Sequence, residues 1–96
     1  MARMDRLSTY CTTIASDGDA TRVTYHSTPI VTFDADSITL RTGGWDTVTT
    51  RRKMNQAARQ FGLAFGVHRD KGETYVTEPC GRVTPLRDTF TFARAR

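Results

Sequence analysis

The sequence predicts an α+β protein in which one amphipathic helix packs on a small antiparallel sheet of about five or six short strands. Two observations lead to this prediction. Seventeen of the 96 residues are threonine, a β-branched residue that favours extended backbone. Short β-branched and aromatic segments, separated by turn residues, stand on both sides of one stretch with helical periodicity. The length suits one core, so we treat residues 1–96 as a single domain.

The first twenty residues give the least consistent pattern. Four of them recur at helical spacing: Met4, Leu7, Cys11 and Ile14. The serines and threonines between these positions favour extended or capping conformations instead. We therefore expect residues 1–20 to form a short helix or an irregular arm that ends in a loop.

Three strands are predicted before the helix, over residues 22–26, 30–33 and 37–41. Pro29 has no N–H to donate, so it belongs at a strand start or a sheet edge. Residues 34–36 are expected to form a hairpin turn, because aspartate carboxylates accept hydrogen bonds from nearby backbone N–H groups.

The clearest helix follows Gly43 and Gly44. Its apolar positions recur at i, i+3, i+4 and i+7: Met54, Ala57, Ala58 and Phe61. Thr49 or Thr50 is expected to cap its start, and Gly62 to end it. A helix of about a dozen residues is marginal alone, so this apolar stripe must pack on the sheet.

The pattern after the helix is again that of strands. Residues 63–68 and 74–77 alternate and are joined by a hairpin turn over residues 70–72. Residues 79–81 turn again, and Val83 and Leu86 with the alternating residues 89–92 suggest one more short strand. Residues 93–96 are expected to be a frayed tail.

The positive charge is concentrated in the middle of the chain. The net charge is +4, and residues 41–71 hold seven basic and two acidic side chains, a local balance of +5. Such a segment favours polyanions or acidic protein surfaces, although a modest net charge also serves solubility alone.

The basic triplet at residues 51–53 is predicted to occupy the first helical turn, where positive charge opposes the helix macrodipole. Stability favours acidic residues there, and such violations concentrate at functional sites. Arg52, Gln56 and Arg59 fall opposite the apolar stripe, as a ridge that either binds an anionic partner or is a solvated face. Trp45 is either a core residue or a binding anchor. The predicted partner-binding residues are Arg51, Arg52, Lys53, Gln56, Arg59 and Trp45.

Catalytic, metal and cofactor sites are not expected. His26 and His68 have no serine or cysteine neighbour in a recognisable nucleophile motif. Neither histidine nor cysteine shows the short spacing of zinc ligands. Cys11 and Cys80 are expected to be two unbridged thiols in a reducing cytosol, with a single bridge as the alternative. No apolar run approaches a membrane span, so we expect a cytoplasmic location and no membrane partner.

One run carries a resemblance. Residues 43–56 read GGWDTVTTRRKMNQ, residues 25–34 read YHSTPIVTFD, and Phe65 to Val67 with Tyr75 and Val76 follow. The chain thereby resembles a family of small proteins of bacteriophages and mobile elements with a YHxTxIVxF…GGWxTxTTxxRMNQ pattern. The likeness covers residues 22–77. It departs at Lys53, where the family has arginine, and at residues 74–75, where tryptophan is usual.

The resemblance implies a phage origin and carries over no activity. Small phage proteins are often inhibitors or modulators of host machinery, including defence complexes such as CRISPR–Cas. A similar role for this chain is expected by analogy with them. The sequence therefore predicts a non-enzymatic binding protein that occludes a host protein or protein–nucleic-acid complex through its basic helix face. Direct nucleic-acid binding is the alternative, and a small virion assembly protein is a third. The oligomeric state is left open.

Overall fold

Two antiparallel sheets and one helix make up the part of the chain that the computed structural model describes, residues 12–44 and 47–94. The elements are β1 (Thr12–Asp17), β2 (Ala20–Tyr25), β3 (Thr28–Phe33), β4 (Ser37–Arg41), α1 (Val48–Phe61), β5 (Gly66–Asp70), β6 (Glu73–Thr77), β7 (Val83–Pro85) and β8 (Thr89–Ala93). The first sheet has the order β1-β2-β3-β4-β8 and the second β5-β6-β7. The predicted α+β class is confirmed, with the strands divided between two sheets.

Residues 12–17 form a strand, so the expected helix or irregular arm is wrong for this part of the chain. β1 pairs antiparallel with β2, and Ile14 stands opposite Val23. The β-branched residues decide the conformation here, and Gly18 at φ 63° lets a two-residue turn close the hairpin. Residues 1–11, which carry most of the helical spacing, lie outside the described residues.

The strands predicted before the helix are confirmed as β2, β3 and β4, with β2 and β3 each beginning two residues earlier. The turn over residues 34–36 forms as expected. One carboxylate oxygen of Asp34 accepts the backbone N–H groups of Asp36 and Ser37, each at 2.8 Å. Pro29 is the second residue of β3 and lies where the β2–β3 register shifts, a position that tolerates a missing donor.

The chain after the helix differs from the prediction in two places. The strand begins at Gly66 rather than at residue 63, because Ala64 adopts a left-handed φ of 60° that interrupts extended backbone. The single expected last strand is two strands, of which β7 joins the small sheet and β8 pairs with β4 in the large one. The predicted turn before β6 is confirmed, with Lys71 and Gly72 both at positive φ.

The expected frayed tail is wrong for its first two residues. Ala93 pairs with Ser37 at the end of β8. The guanidinium of Arg94 donates to the backbone oxygen of Asp34 at 2.8 Å and lies over the Phe33 ring, 5.4 Å from its centroid. Residues 95–96 lie outside the described part of the chain.

The helix begins earlier than the sequence suggests. Thr47 is the N-cap, and its hydroxyl accepts the backbone N–H of Thr50 at 3.2 Å, so the expected cap at Thr49 or Thr50 is wrong. Gly62 ends the helix in the left-handed conformation, as predicted. Because α1 starts at Val48, the basic triplet follows the start of the helix by most of a turn, and only Arg51 belongs to the first turn.

The core lies where the helix meets both sheets. α1 packs against β3 of the large sheet and β5 of the small one. The predicted stripe of the helix is confirmed, since Met54, Ala57 and Ala58 are buried and Phe61 packs on Phe33 at 5.0 Å between ring centroids. The buried apolar residues of the described chain are Val23, Ile30, Val31, Phe33, Ile38, Leu40, Met54, Ala57, Ala58, Leu63, Phe65, Val67, Val76, Leu86 and Phe92.

Gly43 gives a first testable prediction, because two features require a glycine there. Its φ is +61°, and an added Cβ would lie 2.6 Å from the Thr28 methyl carbon. We expect Gly43→Ala to lower the free energy of unfolding by about 2 kcal/mol, from left-handed strain plus this clash. Gly44→Ala is the matched control, since Gly44 also has positive φ but open space around its Cα. Urea denaturation of both variants should show a clearly larger loss for Gly43→Ala; equal losses would exclude the clash.

Candidate binding groove

The outward face of α1 forms a shallow groove beside strand β5, which we call the basic groove. Its volume is about 300 Å³. The residues that line it are Val48, Arg51, Arg52, Asn55, Gln56, Arg59 and Val67. Four of the six residues predicted to bind a partner are therefore brought together: Arg51, Arg52, Gln56 and Arg59.

Asn55 fixes this groove by joining the helix to the edge of β5. Its amide nitrogen donates to the backbone oxygen of Val67, and its amide oxygen accepts the backbone N–H of the same residue, both at 2.8 Å. The side chain thus bonds to β5 as a neighbouring strand would. Helical spacing alone does not predict this contact, because it does not reveal which strand edge a side chain will meet.

The electrostatic character of the groove is cationic. Arg52 and Arg59 are exposed and Arg51 is half-buried. Among the described residues that line the groove, none is acidic. Arg59 lies in the last turn of the helix, where positive charge complements the macrodipole. The groove therefore presents guanidinium groups that suit carboxylates and phosphates through paired, directional hydrogen bonds.

Lys53 does not share this surface, and its predicted presentation beside Arg51 and Arg52 is wrong. The residue is only 3% exposed. Its ammonium nitrogen lies 5.1 Å from the centroid of the Tyr25 ring, on the core side of the helix. Successive helical residues are rotated by about 100°, so three basic residues in a row cannot share one face. Lys53 is one turn from Ala57 and falls on the buried stripe.

Trp45, the sixth predicted residue, lies outside the described residues. A larger cleft of about 610 Å³ lies at the start of the helix. Its described lining is rich in hydroxyl groups and comprises Tyr25, His26, Ser27, Thr28, Ile30, Thr42, Thr47 and Thr49. At the start of the helix, Thr47 and Thr49 line this cleft, whereas Thr50 is buried with its hydroxyl 3.1 Å from that of Thr47.

The exposed face of the small sheet carries an aromatic pair that the sequence analysis did not single out as a pair. His68 on β5 stands directly opposite Tyr75 on β6, with ring centroids 5.8 Å apart and an interplanar angle of 24°. Alternation along β5 places His68 on the opposite face from Val67, which lines the groove. The two-residue turn at residues 71–72 determines which residues of β5 and β6 stand opposite each other. That turn was the sequence signal from which the pairing of His68 with Tyr75 could have been predicted.

Metal-binding clusters, cysteines and membrane-spanning helices are the other features that could mark a functional site. Among the described residues, no group of three or more His, Cys, Asp or Glu side chains is placed to hold a metal ion. Cys80 is an exposed free thiol, whereas Cys11 falls in the segment before residue 12 that the structure leaves undescribed. No helix within the described ranges has the length and apolar character needed to cross a membrane.

Fold and groove together define a small α+β protein with a cationic surface groove. Comparison with protein families places it more closely: the family model for the Kyanoviridae Gp96 protein matches residues 1–93, and the chain belongs to this family. It is therefore a bacteriophage protein, as the sequence resemblance implied. Comparison with curated proteins and with solved structures gave no match.

Proposed function

We propose that this phage protein is a non-enzymatic binding protein that modulates host machinery by occlusion. Its basic groove docks on an acidic surface of a host protein or protein–nucleic-acid complex, with host defence complexes such as CRISPR–Cas among the candidates. The observation that supports this proposal is the joint exposure of Arg52 and Arg59 along one side of a helix that Asn55 holds rigidly against β5. The anchored helix backbone fixes the spacing of the two arginines, so only their side chains have to be ordered on binding.

The shape of the groove favours a macromolecular partner. At about 300 Å³ it is at the lower limit of small-molecule pockets, and its walls are mostly long polar side chains. Val48 is an exposed apolar residue at one end of the groove and offers a contact from which a partner would exclude water. A surface with an apolar contact and surrounding guanidinium groups is typical of a protein interface.

The experiment is a pull-down from nuclease-treated host lysate with paired charge-reversal variants. The double variant Arg52→Glu/Arg59→Glu should lose the captured host complex, with affinity reduced at least about 100-fold because charges that attract become repulsive. The control, Arg22→Glu/Arg41→Glu, makes the same change in net charge on exposed residues of the large sheet, away from the groove, and should retain it. Capture that is equal for both variants, or lost with nuclease, would overturn the proposal.

Direct nucleic-acid binding is the second candidate, and the pair of His68 and Tyr75 on the outer face of the small sheet favours it because aromatic rings stack on bases. If three groove arginines each neutralise one phosphate, affinity should fall about 20- to 40-fold between 50 and 200 mM salt. A gel-shift series over this range measures the slope. Absence of any shift at low salt would exclude this candidate and leave the protein-docking proposal standing.

A further inference from the structure

The outer face of the small sheet presents a row of ring side chains across its three strands. His68, Tyr75 and Pro85 are direct neighbours on β5, β6 and β7. His68 and Pro85 are exposed and Tyr75 is half-buried. Aromatic side chains of a sheet are commonly packed in the core. These rings instead stand on the solvent side of the sheet, whose other face carries the buried Val67 and Val76.

The tyrosine of this row is held in place by its neighbours. Its hydroxyl donates a hydrogen bond to one carboxylate oxygen of Glu73 at 3.2 Å. The other carboxylate oxygen lies 3.9 Å from the Arg87 guanidinium. Hydrogen bonding to the Glu73 carboxylate, together with its negative charge, raises the pKa of the Tyr75 phenol above its usual value. A ring that is fixed before binding loses little freedom when a second ring stacks on it.

The row and the basic groove border the same strand. Val67 lines the groove, and the next residue, His68, projects from the other face of β5. β5 is the end strand of the small sheet, and Tyr75 covers the side of the imidazole that faces β6. The opposite face of the imidazole is therefore directed to the side of β5 along which the helix and its arginines lie.

We propose that His68 and Tyr75 form a stacking site for the bases of a single-stranded nucleic acid whose phosphates lie in the basic groove. The inference rests on the proposed groove for its cationic half. A single strand alternates phosphates with unpaired bases that can turn aside and stack, which matches a groove of arginines on one side of β5 and aromatic rings on the other. A duplex keeps its bases stacked internally and cannot use the rings.

The length of the groove limits the size of the site. Arg52 and Arg59 are seven residues apart, about 10 Å along the helix axis. The groove therefore accommodates a short stretch of backbone, and a probe of about eight nucleotides exceeds it. Stacking on exposed rings is tolerant of base identity, so the site should distinguish bases from no bases rather than one sequence from another.

The test compares labelled oligothymidylate of about eight nucleotides with an abasic oligomer of equal length, by fluorescence anisotropy near 50 mM salt. The two probes carry the same phosphates, so only stacking separates them. The wild-type protein should bind the thymidylate at least about fivefold more tightly. The double variant His68→Ala/Tyr75→Ala should lose this preference while its affinity for the abasic probe is unchanged. Tyr75→Phe keeps the ring without the hydroxyl and should retain most of the preference, because the stacking surface remains although the hydrogen bond to Glu73 is lost.

The remaining outcomes separate this inference from the docking proposal. Arg52→Glu/Arg59→Glu should weaken both probes equally, because it removes the phosphate contacts and leaves the rings in place. Equal wild-type affinity for the two probes, or a preference that survives loss of both rings, would overturn the stacking site. If neither probe binds near 50 mM salt, the inference fails, and the pull-down alone decides whether the groove docks on a host protein.

Discussion

Replacing Leu40 with alanine is expected to cost about 3–4 kcal/mol of folding free energy, a large part of the stability of a domain this small. Leu40 is fully buried in β4, between Val31 on β3 and Phe90 on β8. Alanine would leave a cavity beside β4, an interior strand of the five-stranded sheet, where backbone pairing on both sides limits collapse. Chemical denaturation monitored by circular dichroism gives the free energy of unfolding directly.

The control for Leu40 is the preceding residue of the same strand. Thr39 projects from the other face of β4, where its hydroxyl lies 2.9 Å from that of Thr91. Thr39→Ala should cost at most about 1 kcal/mol, since the side chain is partly exposed and loses one hydrogen bond that water replaces. A loss for Thr39→Ala equal to that for Leu40→Ala would contradict the assignment of the two faces.

The alternation in β4 is also the reason why so much of the large sheet could be predicted from sequence. Ile38 and Leu40 alternate with Thr39 and Arg41, and the hairpin turn before them is closed by Asp34 through bonds that aspartate makes to its own chain neighbours. The alternation of side chains and the chemistry of a turn depend only on neighbouring residues, so both can be predicted from one short segment of sequence. The helical stripe from Met54 to Phe61 was predictable for the same reason.

What the sequence could not show depends on contacts between distant segments. The division of the strands between two sheets is one example: β7 and β8 lie close together in the chain, yet they pair with β6 and β4 respectively. The late start of β5 is another, since the left-handed backbone at Ala64 has no signature in a residue that usually avoids it. Thr42, which bonds to Asp88 through both backbone and side chain, joins segments that no periodicity connects.

The basic groove shows both cases within one site. Helical spacing grouped Arg52, Gln56 and Arg59 on one face, and the structure places all three along the groove. Adjacency in the chain suggested Arg51 and Lys53 as further members. Arg51 does line the groove, but the direction of Lys53 from the helix axis buries it over Tyr25. The deciding quantity was angle around the helix rather than distance along the chain. The side of the groove that β5 forms could not be predicted, because helical spacing does not show which strand edge lies beside the helix.

Asn55→Asp is expected to lower the free energy of unfolding by about 2–3 kcal/mol at neutral pH, although it changes only one amide to a carboxylate. Asparagine both donates to and accepts from the backbone of Val67. Aspartate keeps the acceptor, loses the donor and brings negative charge against a carbonyl oxygen that is then unsatisfied. Because the helix is held to β5 through this pair, separation of the two elements should also widen the basic groove.

The matched control is Gln56→Glu, the same chemical change on the next residue of the groove. The hydrogen bonds to the Val67 backbone come from Asn55 and remain intact in Gln56→Glu. The free energy of unfolding of this control should therefore fall by less than about 0.5 kcal/mol. Urea denaturation of both variants near neutral pH measures the difference, and hydrogen exchange at the Val67 amide should accelerate in Asn55→Asp alone. Acidification that protonates the new carboxyl restores a donor and should return part of the stability. Similar losses in both variants would mean that added negative charge, rather than the missing donor, weakens the fold.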